Sequence, residues 1–211
     1  MTIDKDLYDI STDITSIIDS LSGKSENLSG IIKNLPSTNI IVNVLKTANS
    51  ISNYIIAKKY LSFAKQISEH NIHENSLYEM LKKYHKNAKS FSEQILLALD
   101  KCDTTDKSKL IGDLTADLLN YNITYDEFDH FLFSINNLPL YILKKFSTSY
   151  NNGQYVADQE VFGFLQANGL CSMLNPNGDL SLGRKSKITS LFHLNNHGEK
   201  FGKLLEKYFQ Q

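Results

Sequence analysis

The chain has 211 residues, with 22 Lys and Arg against 23 Asp and Glu, a formal net charge of −1 and a single arginine, Arg184. That near absence of the planar guanidinium argues against a protein devoted to reading bases or clamping phosphates. No stretch reaches the eighteen or so uninterrupted apolar residues of a membrane span, and Cys102 and Cys171, the only cysteines, have no ligand-like or disulfide-framework spacing.

The length suits one sizeable domain, or one domain with a small appendage, burying roughly 70% of its unfolded surface. Met1 to Ser22 carries Asp4, Asp6, Asp9 and Asp13 where a signal peptide would be basic. The expectation is a cytoplasmic protein with two free thiols.

In chain order, Leu7, Ile10, Ile14, Ile17, Ile18 and Leu21 share one face of a predicted helix closed by Gly23. Leu28 to Leu35 follows as a short helix stopped by Pro36, after which Ser37 or Thr38 can cap the next. From Asn27 to Ser68 there is no acid, while Lys33, Lys46, Lys58, Lys59 and Lys65 give a charge of plus five. Ile40, Ile41, Val44, Leu45, Ala48, Ile51, Ile55, Tyr60, Phe63, Ala64 and Ile67 recur there at three-and-four spacing, the pattern of one long or two stacked amphipathic helices.

After the polar break from His70 to Asn75, one helix carries Leu77, Met80, Leu81 and Tyr84, and another carries Phe91, Ile95, Leu96 and Leu99. Asp103 is the expected N-cap of a helix with Leu110, Ile111, Leu114, Leu118 and Leu119. Thr124 and Glu127 form a capping box opening a helix with Phe128, Phe131, Leu132 and Ile135. Between Asp100 and Asp129, eight acids stand against Lys101, Lys107 and Lys109, a net of minus five. The basic and acidic windows are therefore expected to face each other.

Pro139 interrupts, Leu140 to Phe146 resumes as a short helix, and Ser147 to Gln154 reads as a linker. Beyond it, Asp158 caps a helix with Val161, Phe162 and Leu165 that stops at Asn168-Gly169. A strand from Leu170 to Leu174, a turn at Asn175-Pro176-Asn177-Gly178 and returning strands through Leu194 are expected next, and then a final helix capped by Asn195 and carrying Phe201, Leu204, Leu205 and Phe209. The fold expected is mainly α: a helical bundle over 1–150 and a small α+β module over 151–211.

Two resemblances follow from these segments. Phe164-Leu165-Gln166-Ala167-Asn168-Gly169-Leu170 with His193-Leu194-Asn195-Asn196-His197-Gly198 resembles the winged-helix pattern, in which a helix ends at Gly-Leu, a hairpin crosses and a capped step opens the last helix. Asn195 replaces the usual Thr and keeps its capping chemistry. The layout as a whole is similar to abortive-infection-type helical proteins of bacterial defence islands and prophages, carried by Ser50-Ile51-Ser52, the run Ala57 to Phe63, the segment Asp106 to Leu114 and the Gly-Leu and Leu-Asn-x-x-Gly ending. This likeness implies phage defence or interference and assigns no active site.

Lys46, Lys58, Lys59 and Lys65 are the candidate surface for a protein partner or an anionic membrane; the plainer reading makes their helix core and pairs them with the acidic window. Arg184, Lys185 and Lys187 are candidate wing contacts to phosphate, opposed by a preceding helix with no Lys or Arg. The six histidines show no recurrent zinc pattern, Cys102 has no identifiable His partner, and phosphate loops and nucleophile elbows are missing. The function expected is therefore non-enzymatic, without cofactor or metal. It would work through a protein partner, with homodimerisation and peripheral membrane contact open, and a winged-helix DNA-binding regulator as the alternative.

Overall fold

The computed structural model describes residues 12, 13, 16, 51–72, 76–84, 86, 88–150, 159–173 and 192–209. The fold is mainly helical. Among the described residues the helices are α1 (Ile51–Glu69), α2 (Ser76–Lys83), α3 (Ala88–Lys101), α4 (Thr105–Leu119), α5 (Tyr125–Asn137), α6 (Leu140–Ser149), α7 (Gln159–Ala167) and α8 (Asn196–Phe209). Strands β1 (Cys171–Met173) and β2 (Phe192–Leu194) form the one small sheet described. Two compact units divide the chain, Met1–Asn136 and Asn137–Gln211. The predicted helices before Ile51 and most of the predicted turn and hairpin lie outside the described residues.

In the first unit α4 is the centre. Its expected apolar residues are buried, and so are Lys107, Ser108, Asp113, Thr115 and Asp117, so that almost the whole circumference is covered. Helix α1 lies along it and also meets α3, while α2 and α3 pack against other parts of α4. Contact with α1 is close because Gly112 has no side chain: a Cβ there would stand 2.9 Å from Gln66 Cβ and 3.0 Å from the Phe63 carbonyl oxygen. An aromatic cluster joins α5 to α3 and to the residue after α2, with ring centroids 5.9 Å apart for Phe91 and Phe128 and 5.3 Å for Tyr84 and Tyr125. Such pairs add about 0.5–1.5 kcal/mol beyond the area they bury.

Two caps decide where helices begin. At α5, Thr124 Oγ1 accepts from Glu127 N at 3.2 Å and Glu127 Oε2 accepts from Thr124 N at 2.8 Å, the reciprocal box expected from the sequence. At α4 the cap is Thr104 rather than Asp103: Thr104 Oγ1 accepts from Lys107 N at 3.2 Å. Asp103, one residue earlier, instead pairs with the Lys107 ammonium at 3.1 Å.

In the second unit α6 contacts α7 and α8, and β1 pairs antiparallel with β2 in the register Cys171 to Leu194, Ser172 to His193 and Met173 to Phe192. The expected linker begins as structure, since Ser147 is inside α6, is buried and donates to the Leu205 carbonyl at 3.2 Å. Helix α7 stops where predicted. Gly169 takes φ 68°, Leu170 N donates to Leu165 O at 2.9 Å and Gly169 N to Gln166 O at 3.0 Å, the paired bonds of a glycine-terminated helix. Asn195 Oδ1 accepts from Gly198 N at 2.9 Å and caps α8 as expected.

The tightest point of this unit is Gly198, where a Cβ would lie 1.9 Å from the Leu170 carbonyl oxygen. A backbone atom cannot swing away as a side-chain tip can. Gly198→Ala is therefore expected to destabilise the protein by about 3 kcal/mol, read as a lowered urea midpoint.

Candidate functional site

The four basic candidates do not form a common surface. Lys58 is exposed, its ammonium 4.4 Å from the Tyr54 ring centroid. Lys65 is exposed and pairs with Asp13 at 3.4 Å, an arrangement of the kind that contributes about 0–1 kcal/mol. Lys59 is only 7% exposed, and its Nζ donates to the Asp100 carbonyl at 3.0 Å. That carbonyl is in the last turn of α3, where a cation satisfies both an orphan acceptor and the negative end of the helix dipole. Lys59 therefore anchors the core, a correction to its place among the candidate contacts. Lys46 and the wing candidates Arg184, Lys185 and Lys187 lie outside the described residues.

Most of the apolar side of the same helix is covered as well, Ile55 alone of its described stripe being exposed. Ala57, Tyr60, Phe63, Ala64 and Ile67 are all buried. A membrane-binding helix needs that face free for insertion, and here it is inside the first unit. Among the described residues, no helix is long and apolar enough to cross a membrane.

Facing of the basic and acidic windows occurs, through other groups than the surface lysines. Asp113 on α4, with its side chain 4% exposed, lies 2.7 Å from His70 Nε2 and accepts from Gln66 Nε2 at 3.0 Å. A buried carboxylate needs such partners, because an uncompensated one costs several kcal/mol. One turn along α4, Asp117 accepts from Asn122 Nδ2 at 2.7 Å. His70 thus belongs to a half-buried contact with Asp113, which the lack of a zinc pattern among the histidines did not reveal. The four-residue step from Gln66 to His70 is the signal that puts both on one side of α1.

A second polar cluster occupies the corner between α3 and α4. Cys102 Sγ lies 3.2 Å from the Leu99 carbonyl and 3.2 Å from Ser108 Oγ. Burial pushes this thiol upward, outweighing the opposing pull of the Ser108 hydroxyl and the Lys59 and Lys107 ammoniums. Burial alone raises Cys171 to about 12. Both thiols are protonated near neutrality and shielded. Among the described residues, no group of three His, Cys, Asp or Glu is placed to hold a metal ion.

Off its buried stripes the first unit exposes two large apolar side chains. Leu97 on α3 is 61% exposed and Phe133 on α5 is 58% exposed. Gln94 Nε2 donates to Asp129 Oδ1, and Tyr125 OH donates to Gln94 Oε1, tying α3 to α5. Leu97 lies one turn beyond Gln94 and Phe133 one turn beyond Asp129. Comparison with protein-family models, with curated proteins and with solved structures finds no match to this chain.

Two outcomes check these assignments. Lys59→Ala is expected to cost about 1–3 kcal/mol in urea unfolding, because it strands a buried carbonyl, while Lys58→Ala and Lys65→Ala stay within about 0.5 kcal/mol. A disulfide reagent at pH 8 should label Cys102 and Cys171 slowly in the native protein and both rapidly in urea.

Proposed function

We propose that this chain is a non-enzymatic protein that acts by binding another protein, in the phage-defence or phage-interference role implied by its resemblance. The observation that carries the binding reading is the exposure of Leu97 and Phe133 on helices whose opposite sides are firmly packed. Exposed large side chains held on a rigid framework can be buried by a partner with little ordering cost.

The second unit supports the winged-helix-like reading through the glycine-terminated α7, the short β pair and the Asn195-capped α8. A DNA-binding regulator would use the same module. It ranks second because α7 carries Glu160 and no cation, which is poorly matched to phosphate.

The test uses the intact protein as bait in extracts of phage-infected and uninfected cells. A partner retained by the wild type is expected to be lost from Leu97→Asp/Phe133→Asp, with the melting temperature unchanged and plaque numbers restored in cells carrying that variant. Retention of every partner by a folded variant would overturn the assignment of this surface.

A further inference from the structure

We infer that the exposed side of α8 binds the phosphate backbone of nucleic acid without reading its bases. This surface belongs to the second unit and stands apart from the protein-binding reading of Leu97 and Phe133. Lys200, Lys203 and Lys207 follow one another at three-and-four spacing and are all exposed, a row about 10 Å long on one face of the helix. The two acids of α8 lie about 100° round the helix from that row. Glu199 and Glu206 share a stripe with Gly202, where a Cβ would stand 2.3 Å from Tyr150 Cδ2, so they face the end of α6 and are half-buried. Burial first, and then these two carboxylates, push the Tyr150 phenol up.

Helix α6 and strand β2, which pack against α8, add cations and no acid: Lys144 and Lys145 are exposed on α6 and His193 on β2. Lys145 is engaged with Glu160 of α7 at 3.3 Å. Over the whole second unit eight lysines and arginines stand against five acids, a net of plus three, whereas the first unit has fourteen against eighteen. The kind of polyanion follows from what the row lacks. No large apolar side chain of α8 is exposed, Leu204 and Phe209 being half-buried. Anionic lipid holds a few lysines only marginally unless apolar side chains insert beside them, and a protein interface is built around an apolar core. A polar and mainly positive surface fits a chain of phosphates. Lysine meets phosphate as a point charge and lacks the fork that reads a base edge, so the contact is independent of sequence.

The probes are two fluorescent DNA duplexes of unrelated sequence, followed by anisotropy with the intact chain at rising salt. Both are expected to bind equally at low salt, with an affinity that falls at a log–log slope of about −2 to −3, roughly −0.9 for each phosphate met. Lys200→Gln/Lys203→Gln/Lys207→Gln should weaken binding at least about tenfold at low salt and bring the slope near zero, with the melting temperature unchanged. Lys82→Gln/Lys83→Gln, exposed lysines of the first unit, should alter neither. No binding at low salt, preference for one duplex, or binding that survives the α8 variant would overturn the inference. So would capture of anionic vesicles, and not of duplex, through the same lysines. Leu97→Asp/Phe133→Asp should leave duplex binding intact, so this inference and the protein-binding reading fail separately.

Discussion

The first unit depends on how closely α1 can approach α4, and that distance is set at Gly112. With Gln66 Cβ and the Phe63 carbonyl too near for any added carbon, α1 meets α4 with no α4 side chain between them at this point. Close approach makes a short amide such as Gln66 long enough to reach Asp113, and brings His70 to the same carboxylate from the end of α1. Packing and polar pairing are consequently one arrangement here. A wider spacing would leave Asp113 buried and short of donors, a heavier penalty than the lost apolar contact alone.

The same economy appears at the helix ends. Lys59 closes the end of α3, Thr104 opens α4, and Lys107 is 2% exposed while reaching Asp103. Long aliphatic stems allow the lysines to pack as apolar matter and still present an ammonium to an acceptor. The positive charge of these two lysines is thus consumed inside the fold.

Features carried within a few residues were the legible ones. The capping box at Thr124 and Glu127, the stop at Gly169 and the cap at Asn195 each need partners three to five positions apart, which a linear reading can pair. Thr104 displaced Asp103 because both are good caps and only the path of the backbone chooses between adjacent residues. The fate of Lys59 was not legible, because its acceptor is 41 residues away, and neither was that of His70, whose carboxylate is 43 away. Leu97 stands off the stripe of Phe91, Ile95 and Leu99, so its exposure follows from the helical spacing of α3 itself.

The β pair has a consequence for how the second unit can vary. Met173 and Phe192 are register partners, the outermost described pair of the sheet. Asn195 N also donates to the Leu170 carbonyl at 3.2 Å, and Asn195 Nδ2 donates to the Gly169 carbonyl at 2.7 Å, fastening the base from both sides. Through those bonds the end of α7, the sheet and the start of α8 form one joint, so that a change at Gly169, Leu170 or Asn195 is felt by all three elements.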